Sequence, residues 1–203
     1  MKIASRMVLW PAALIWLGGC NMVVTQAPLF TKADSVGAPT IRSGIWNAAK
    51  PDCLFDESLP QTKWPKCAGA QPPTPDPPPW LAVPGDPPIL QLSTPKTADQ
   101  PAAIYIYVAF RPVKVDASGR AIALELWPVQ CGPPPGNDPT EMTKSLLPGL
   151  KPRPEGGACT TDSPLALRAA AKASRAWMGP VGATHWVRDP KPGDLPAGAP
   201  ANP

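Results

Sequence analysis

The stretch that decides the fold is Ala102-Ala103-Ile104-Tyr105-Ile106-Tyr107-Val108-Ala109-Phe110, answered by Ala121-Ile122-Ala123-Leu124-Glu125-Leu126-Trp127-Pro128-Val129. Both runs alternate. Ile104, Ile106, Val108 and Phe110 share one face of the first, with Tyr105 and Tyr107 on the other. Ile122, Leu124 and Leu126 oppose Glu125 and Trp127 in the second. A period of two is the signature of a strand. Between them, Asp116-Ala117-Ser118-Gly119-Arg120 is turn chemistry, since an aspartate bonds its own backbone and a glycine takes positive φ. The pair reads as a β-hairpin.

Working outward, Leu81–Val83 or Ile89–Leu92 offers a further short strand, and His185-Trp186-Val187 a last one. Thr140 to Leu147 reads as a short helix. The main helix opens at Ser163, a natural N-cap, with Pro164 at the first helical position, and runs through Leu165–Met178 to Gly179-Pro180. One of its faces carries Leu167, Ala170, Ala171, Ser174, Trp177 and Met178, mostly small, so the helix can lie close on a sheet. Beside that face runs a basic stripe of Arg168, Lys172 and Arg175. The expected class is mainly β (α+β): a small antiparallel sheet, one C-terminal helix packed on it, Pro-rich loops and two disulfides.

The 33 prolines among 203 residues exclude long regular helices over most of the chain. Residues 71–88, with nine prolines, read as a Pro-rich loop, and the tail 190–203 as disordered. Apolar residues at 43% still support a packed core, which places one globular domain at 41–189. A net charge of +4 is too small to argue for nucleic acid.

The amino terminus reads as an export signal over residues 1–19. Lys2 and Arg6 precede an apolar run from Met7 to Leu17, too short to span a bilayer. The run ends in Leu17-Gly18-Gly19-Cys20, which resembles a bacterial lipobox. That resemblance implies cleavage before Cys20 and a lipid on its thiol. Plain secretion with Cys20 retained, or an uncleaved signal anchor, are the alternatives. Asn21 stands where the usual inner-membrane retention residue is aspartate, so the resemblance implies an outer-membrane lipoprotein facing the periplasm. Residues 20–40 then read as a lipidated tether. Loss of Lys2 and Arg6 lowers the net charge to +2.

With Cys20 carrying lipid, Cys53, Cys67, Cys131 and Cys159 remain, an even number with three possible pairings. Loop-closure entropy gives about 3 kcal/mol for Cys53–Cys67, about 3.6 for Cys131–Cys159 and about 4.5 for Cys53–Cys131, so entropy does not choose. Nearness in the chain does, and it favours Cys53–Cys67 with Cys131–Cys159.

Nothing marks a catalytic site. His185 is the single histidine, no Gly-x-Ser-x-Gly is present, and the cysteines lack the short spacings of a zinc site. No cofactor or metal is expected. Trp80, after Pro78-Pro79, reads as a surface contact or as a pin for its own loop. The Arg168, Lys172 and Arg175 stripe reads as a solvated face or a contact for headgroups or an acidic partner.

Gly44-Ile45-Trp46 resembles the Gly-x-Trp of lipocalins, with Arg188 available to stack on Trp46. No matching Thr-Asp-Tyr motif follows, and five or six strands fall short of an eight-stranded barrel. Ser43-Gly44-Ile45-Trp46, Trp64-Pro65-Lys66-Cys67-Ala68, Trp127-Pro128-Val129-Gln130-Cys131-Gly132 and the Ala-rich helix ending Arg175-Ala176-Trp177 together resemble a group of uncharacterised Gram-negative envelope lipoproteins. The expectation is a non-enzymatic accessory or interaction module, bound to the membrane through Cys20 and to a possible envelope protein partner. The alternative is a small-molecule or lipid binder with an apolar pocket between sheet and helix. The sequence leaves the oligomeric state unknown.

Overall fold

The computed structural model describes residues 21–47, 53–69, 80–94, 103–134, 145–153, 158–177 and 183–194. The predicted export signal and Cys20, residues 71–79 of the Pro-rich segment, and the tail beyond 194 lie outside them.

Among the described residues nine strands form one mixed sheet: β1 (Met22–Thr25), β2 (Ile45–Asn47), β3 (Trp80–Val83), β4 (Ile89–Ser93), β5 (Tyr105–Val115), β6 (Ala121–Pro128), β7 (Lys151–Pro152), β8 (Ala158–Thr160) and β9 (Ala183–Arg188). One α-helix, α1 (Pro164–Ser174), packs on β5 and β6. The mainly β class with one helix and two disulfides is as expected, but the sheet is larger than five or six strands. It is also mixed, because β1 and β8 run parallel.

The hairpin β5–β6 is the spine. Asp116 Oδ1 accepts from the Ser118 and Arg120 amides at 2.9 and 3.0 Å, and Gly119 takes φ 76°, as the turn chemistry requires. One edge of β5 is held by β4, from Ser93 opposite Tyr105 to Ile89 opposite Ala109. The other edge is shared. β6 pairs from Val115 to Val108, and β1 then takes over at Ile106 and Tyr105. From this shared edge the sheet forks into two wings, β6-β9-β2 and β1-β8-β7.

The strand β1 replaces part of the predicted tether. Val23 is fully buried and Phe30 nearly so, so residues between 21 and 40 already pack into the fold. Met22-Val23-Val24-Thr25 is short, but it pairs on both sides and satisfies backbone groups on β5 and β8 that would otherwise lack partners. At the other end, the Asp194 side chain is only 2% exposed, so the packed chain runs past 189. Within 71–88, residues 80–83 are strand β3, paired along its length with β4.

Alternation distributes the core over both faces of the sheet. Tyr107, Ala109, Trp127, Val129, Val83 and Ile89 meet α1 on one side. Phe110, Leu124, Leu90 and Trp46 form a second cluster on the other. The helix starts as predicted, with Ser163 Oγ accepting from the Ala166 amide, but ends at Ser174. Residues 145–147 of the predicted Thr140–Leu147 helix are irregular, and 140–144 fall outside the described residues. Both predicted disulfides are present, Cys53–Cys67 and Cys131–Cys159.

The Gly44-Ile45-Trp46 motif has a local cause. Gly44 has φ 132°, and a Cβ there would lie 2.5 Å from Trp186 Nε1 and 2.7 Å from the Arg188 carbonyl oxygen. Trp186 Nε1 donates to the Ser43 carbonyl at 2.9 Å, and the Arg42 guanidinium stacks on the Trp186 ring at 3.5 Å. The arginine on a tryptophan is therefore Arg42 on Trp186, not Arg188 on Trp46. Arg188 instead holds Asp194 through two hydrogen bonds of 2.7 and 2.8 Å and reaches the Glu57 and Leu59 carbonyls. This clamp fastens the segment carrying Cys53–Cys67 onto β9.

Two outcomes follow from these contacts. Gly44→Ala should lower unfolding free energy by about 2 kcal/mol or more in urea titration, since backbone strain of that kind alone costs about 1–3 kcal/mol. The Arg188 guanidinium holds the Asp194 carboxyl well below the usual carboxylate range. A depressed folded pKa contributes stability that is complete above the unfolded value, about 3.9, and is lost as pH falls through the folded one. Thermal midpoints measured from pH 6 to pH 2 should therefore fall more steeply for the wild type than for Asp194→Asn. Parallel curves would remove Asp194 from the acid limb.

Candidate functional site

The helix α1 sits on the sheet without a gap at its centre. Leu167, Ala170, Ala171 and Ser174 are fully buried. Trp127 Nε1 on β6 donates to the Ala171 carbonyl at 3.0 Å, so the helix backbone itself lies within hydrogen-bond reach of the sheet. Small side chains permit that approach, as the sequence implied. Trp127 and the helix alanines fill the centre of this contact.

Among the described residues a groove lies at the rim of this contact. This groove of about 260 Å³ runs where the β3–β4 loop, the outer part of the hairpin and the last turns of α1 meet. Pro87, Pro88 and Pro112 form its walls, and Arg111, Lys172 and Arg175 stand around it. Arg111 and Glu125 face each other across β5 and β6, and Arg111 Nη2 donates to Glu125 Oε2 at 2.7 Å. Arg175 approaches the same carboxylate at 3.7 Å, with its guanidinium 5.7 Å from the Trp127 ring centroid. Lys172 lies 3.5 Å from Asp86, but both side chains are largely exposed, so that pair holds little. Glu125 is the more buried acid and orients two arginines at once. Three cations against two carboxylates, over proline and tryptophan surfaces, suit an acidic segment that also offers apolar groups.

The predicted stripe divides by role. Arg168 does not face solvent as a free contact: Nη1 donates to the Pro84 carbonyl at 2.6 Å, and its guanidinium lies 5.1 Å from the Phe30 ring centroid. It ties the β3–β4 loop and the segment after β1 to the helix. Gly85 lies against the same guanidinium, leaving no room for a Cβ. Lys172 and Arg175 remain at the groove. Trp80 belongs to the opposite face of the sheet, half-buried with Ala82, Leu92, Val108, Leu126 and Trp186 around buried Phe110. The predicted contact residues therefore do not converge on one surface.

Arg111 and Glu125 escaped the sequence reading. Fixing the hairpin turn at Asp116–Arg120 places them opposite each other, and that register was the available signal. His185 is exposed on β9, opposite Asn47 and Ala123. Among the described residues no group of three histidine, cysteine or carboxylate side chains is gathered for a metal ion.

Neighbouring residues of the stripe should behave differently. Arg168→Met should destabilise by about 1–3 kcal/mol in urea titration, because it orphans the Pro84 carbonyl and releases the loop. Lys172→Met should stay within about 0.5 kcal/mol of wild type. Equal losses would show that the stripe acts as one surface. No known protein family, characterised protein or solved structure matches the chain.

Proposed function

We propose that the chain is a lipid-anchored protein of the cell envelope, held in the outer membrane by lipid on Cys20 and facing the periplasm, where it acts as a non-enzymatic interaction module. The observation that carries this reading is the use of its cysteines. Two disulfides take up Cys53, Cys67, Cys131 and Cys159, and leave Cys20 at the end of the lipobox-like Leu17-Gly18-Gly19-Cys20. Disulfides persist in oxidising compartments outside the cytosol, which agrees with an exported chain. The lipid-anchor step itself rests on resemblance.

The interaction role is supported by the rim groove. Two of its cations, Arg111 and Arg175, are held by Glu125 and its walls are prolines, so that part of the surface loses little entropy on binding. The partner it suits is an envelope protein with an acidic, apolar segment.

Cys20→Ser should yield an unlipidated form that no longer fractionates with outer membrane. Retention at wild-type level after a high-salt wash would refute the anchor. A photo-crosslinking residue in place of Lys172 should capture a discrete partner in intact cells, and Arg111→Glu with Arg175→Glu should abolish that adduct at unchanged abundance. An adduct indifferent to both reversals would remove the groove from the role.

A further inference from the structure

The first described residue is already part of the fold. Asn21 is only 9% exposed. Its Nδ2 donates to the Gly132 carbonyl at 2.9 Å, and its own carbonyl accepts from the Cys131 amide at 2.8 Å. One residue on, Met22 lies opposite Ala158 on one side and Gln130 on the other. Val23 then donates to the Val129 carbonyl at 2.9 Å. The disulfide Cys131–Cys159 ties together the two segments that grip this start.

A single peptide bond separates Asn21 from Cys20, and consecutive Cα atoms are about 3.8 Å apart. A flexible tether of 20 residues would instead give a root-mean-square reach of about 25 Å, more than the radius of gyration of about 16 Å expected for a domain of this size. With such a tether the domain would turn freely above the bilayer. With none it cannot.

We infer that the protein docks directly on the lipid surface, with the pole around Asn21, marked by Pro133, Pro134 and Ala158, against the headgroups. The inference rests on the lipid-anchor reading of Cys20 and deepens it into an orientation. The pole is defined by contact with Asn21: Gly132 receives its side chain, Ala158 neighbours Met22, and the Arg153 amide donates to the Ala158 carbonyl at 3.2 Å. A lipid whose acyl chains enter the bilayer keeps its linkage to Cys20 at headgroup depth, so this pole has to lie there too.

The test uses the mature lipidated chain in nanodiscs containing a phospholipid with a carbene-generating headgroup. Irradiation followed by peptide mass mapping should place label on Pro133–Pro134 and around Ala158 several-fold above the rest of the domain. A Gly-Ser spacer of about 16 residues between Cys20 and Asn21 reaches about 22 Å and should spread the label evenly. Even labelling in the wild type, or a focused pattern unchanged by the spacer, would overturn the inference while leaving the anchor intact. A mature chain without the added diacylglyceryl mass on Cys20 would overturn the anchor, and the docking with it.

Discussion

Strand β5 has two edges, and three strands claim them. β4 occupies one edge, while β6 and β1 divide the other, handing over where Val129 donates to the Tyr107 carbonyl and accepts from Val23. Buried backbone groups need partners, so β6 can leave the sheet at Val129 only because β1 arrives there. The same place joins side chains: the Tyr107 hydroxyl is buried, 2.6 Å from Thr25 Oγ1, and burial pushes the phenol up from its ordinary pKa. Through β1 the wing of β8 and β7 joins the sheet, Cys131–Cys159 secures it, and α1 closes the core between them. Without that hand-over the second wing has no strand pairing to the rest of the sheet.

This dependence explains which features the sequence disclosed. The hairpin was legible because alternation and turn are local, and the helix start because Ser163 and Pro164 are adjacent. Counting cysteines and preferring near neighbours gave both disulfides. β1 was not legible: Met22–Thr25 is four residues long, and its partner on β5 lies about eighty positions away. Alternation also left open which face of β5 the helix covers. Ile106 and Val108 remain half-buried, whereas Tyr107 is fully enclosed because Thr25 and the Leu29 amide meet its hydroxyl. Gln91 is buried for the same kind of reason, bonding the Leu29 and Phe30 backbone. Asp194 resembled one more residue of a proline-rich tail until Arg188, six positions earlier, folded back on it.

The helical stripe shows the limit of side-chain direction as a guide to role. Helical spacing put Arg168, Lys172 and Arg175 on neighbouring ground, and they are there. What differs is the element each one meets. Arg168 reaches a carbonyl on the β3–β4 loop and becomes internal bracing. Arg175 meets a carboxylate already engaged by Arg111 and becomes part of a fixed charge array. Lys172 meets only an exposed aspartate and keeps its freedom. Surface chemistry on this helix is decided by the sheet beneath it.

The groove and the start of β1 also belong to one rigid body. Ser174 Oγ, in the last turn of α1, accepts from the Gln130 amide at 2.8 Å while donating to the Ala170 carbonyl. Gln130 in turn stands opposite Met22, one residue from Asn21. From Arg175 to Asn21 the path therefore crosses one helix end, one hydrogen bond and one strand bridge, with no loop of free length between. A domain docked through Asn21 would present Arg111 and Arg175 at a constant height and heading above the lipid. The orientation of the groove toward a partner is then set by the same few contacts that begin the fold.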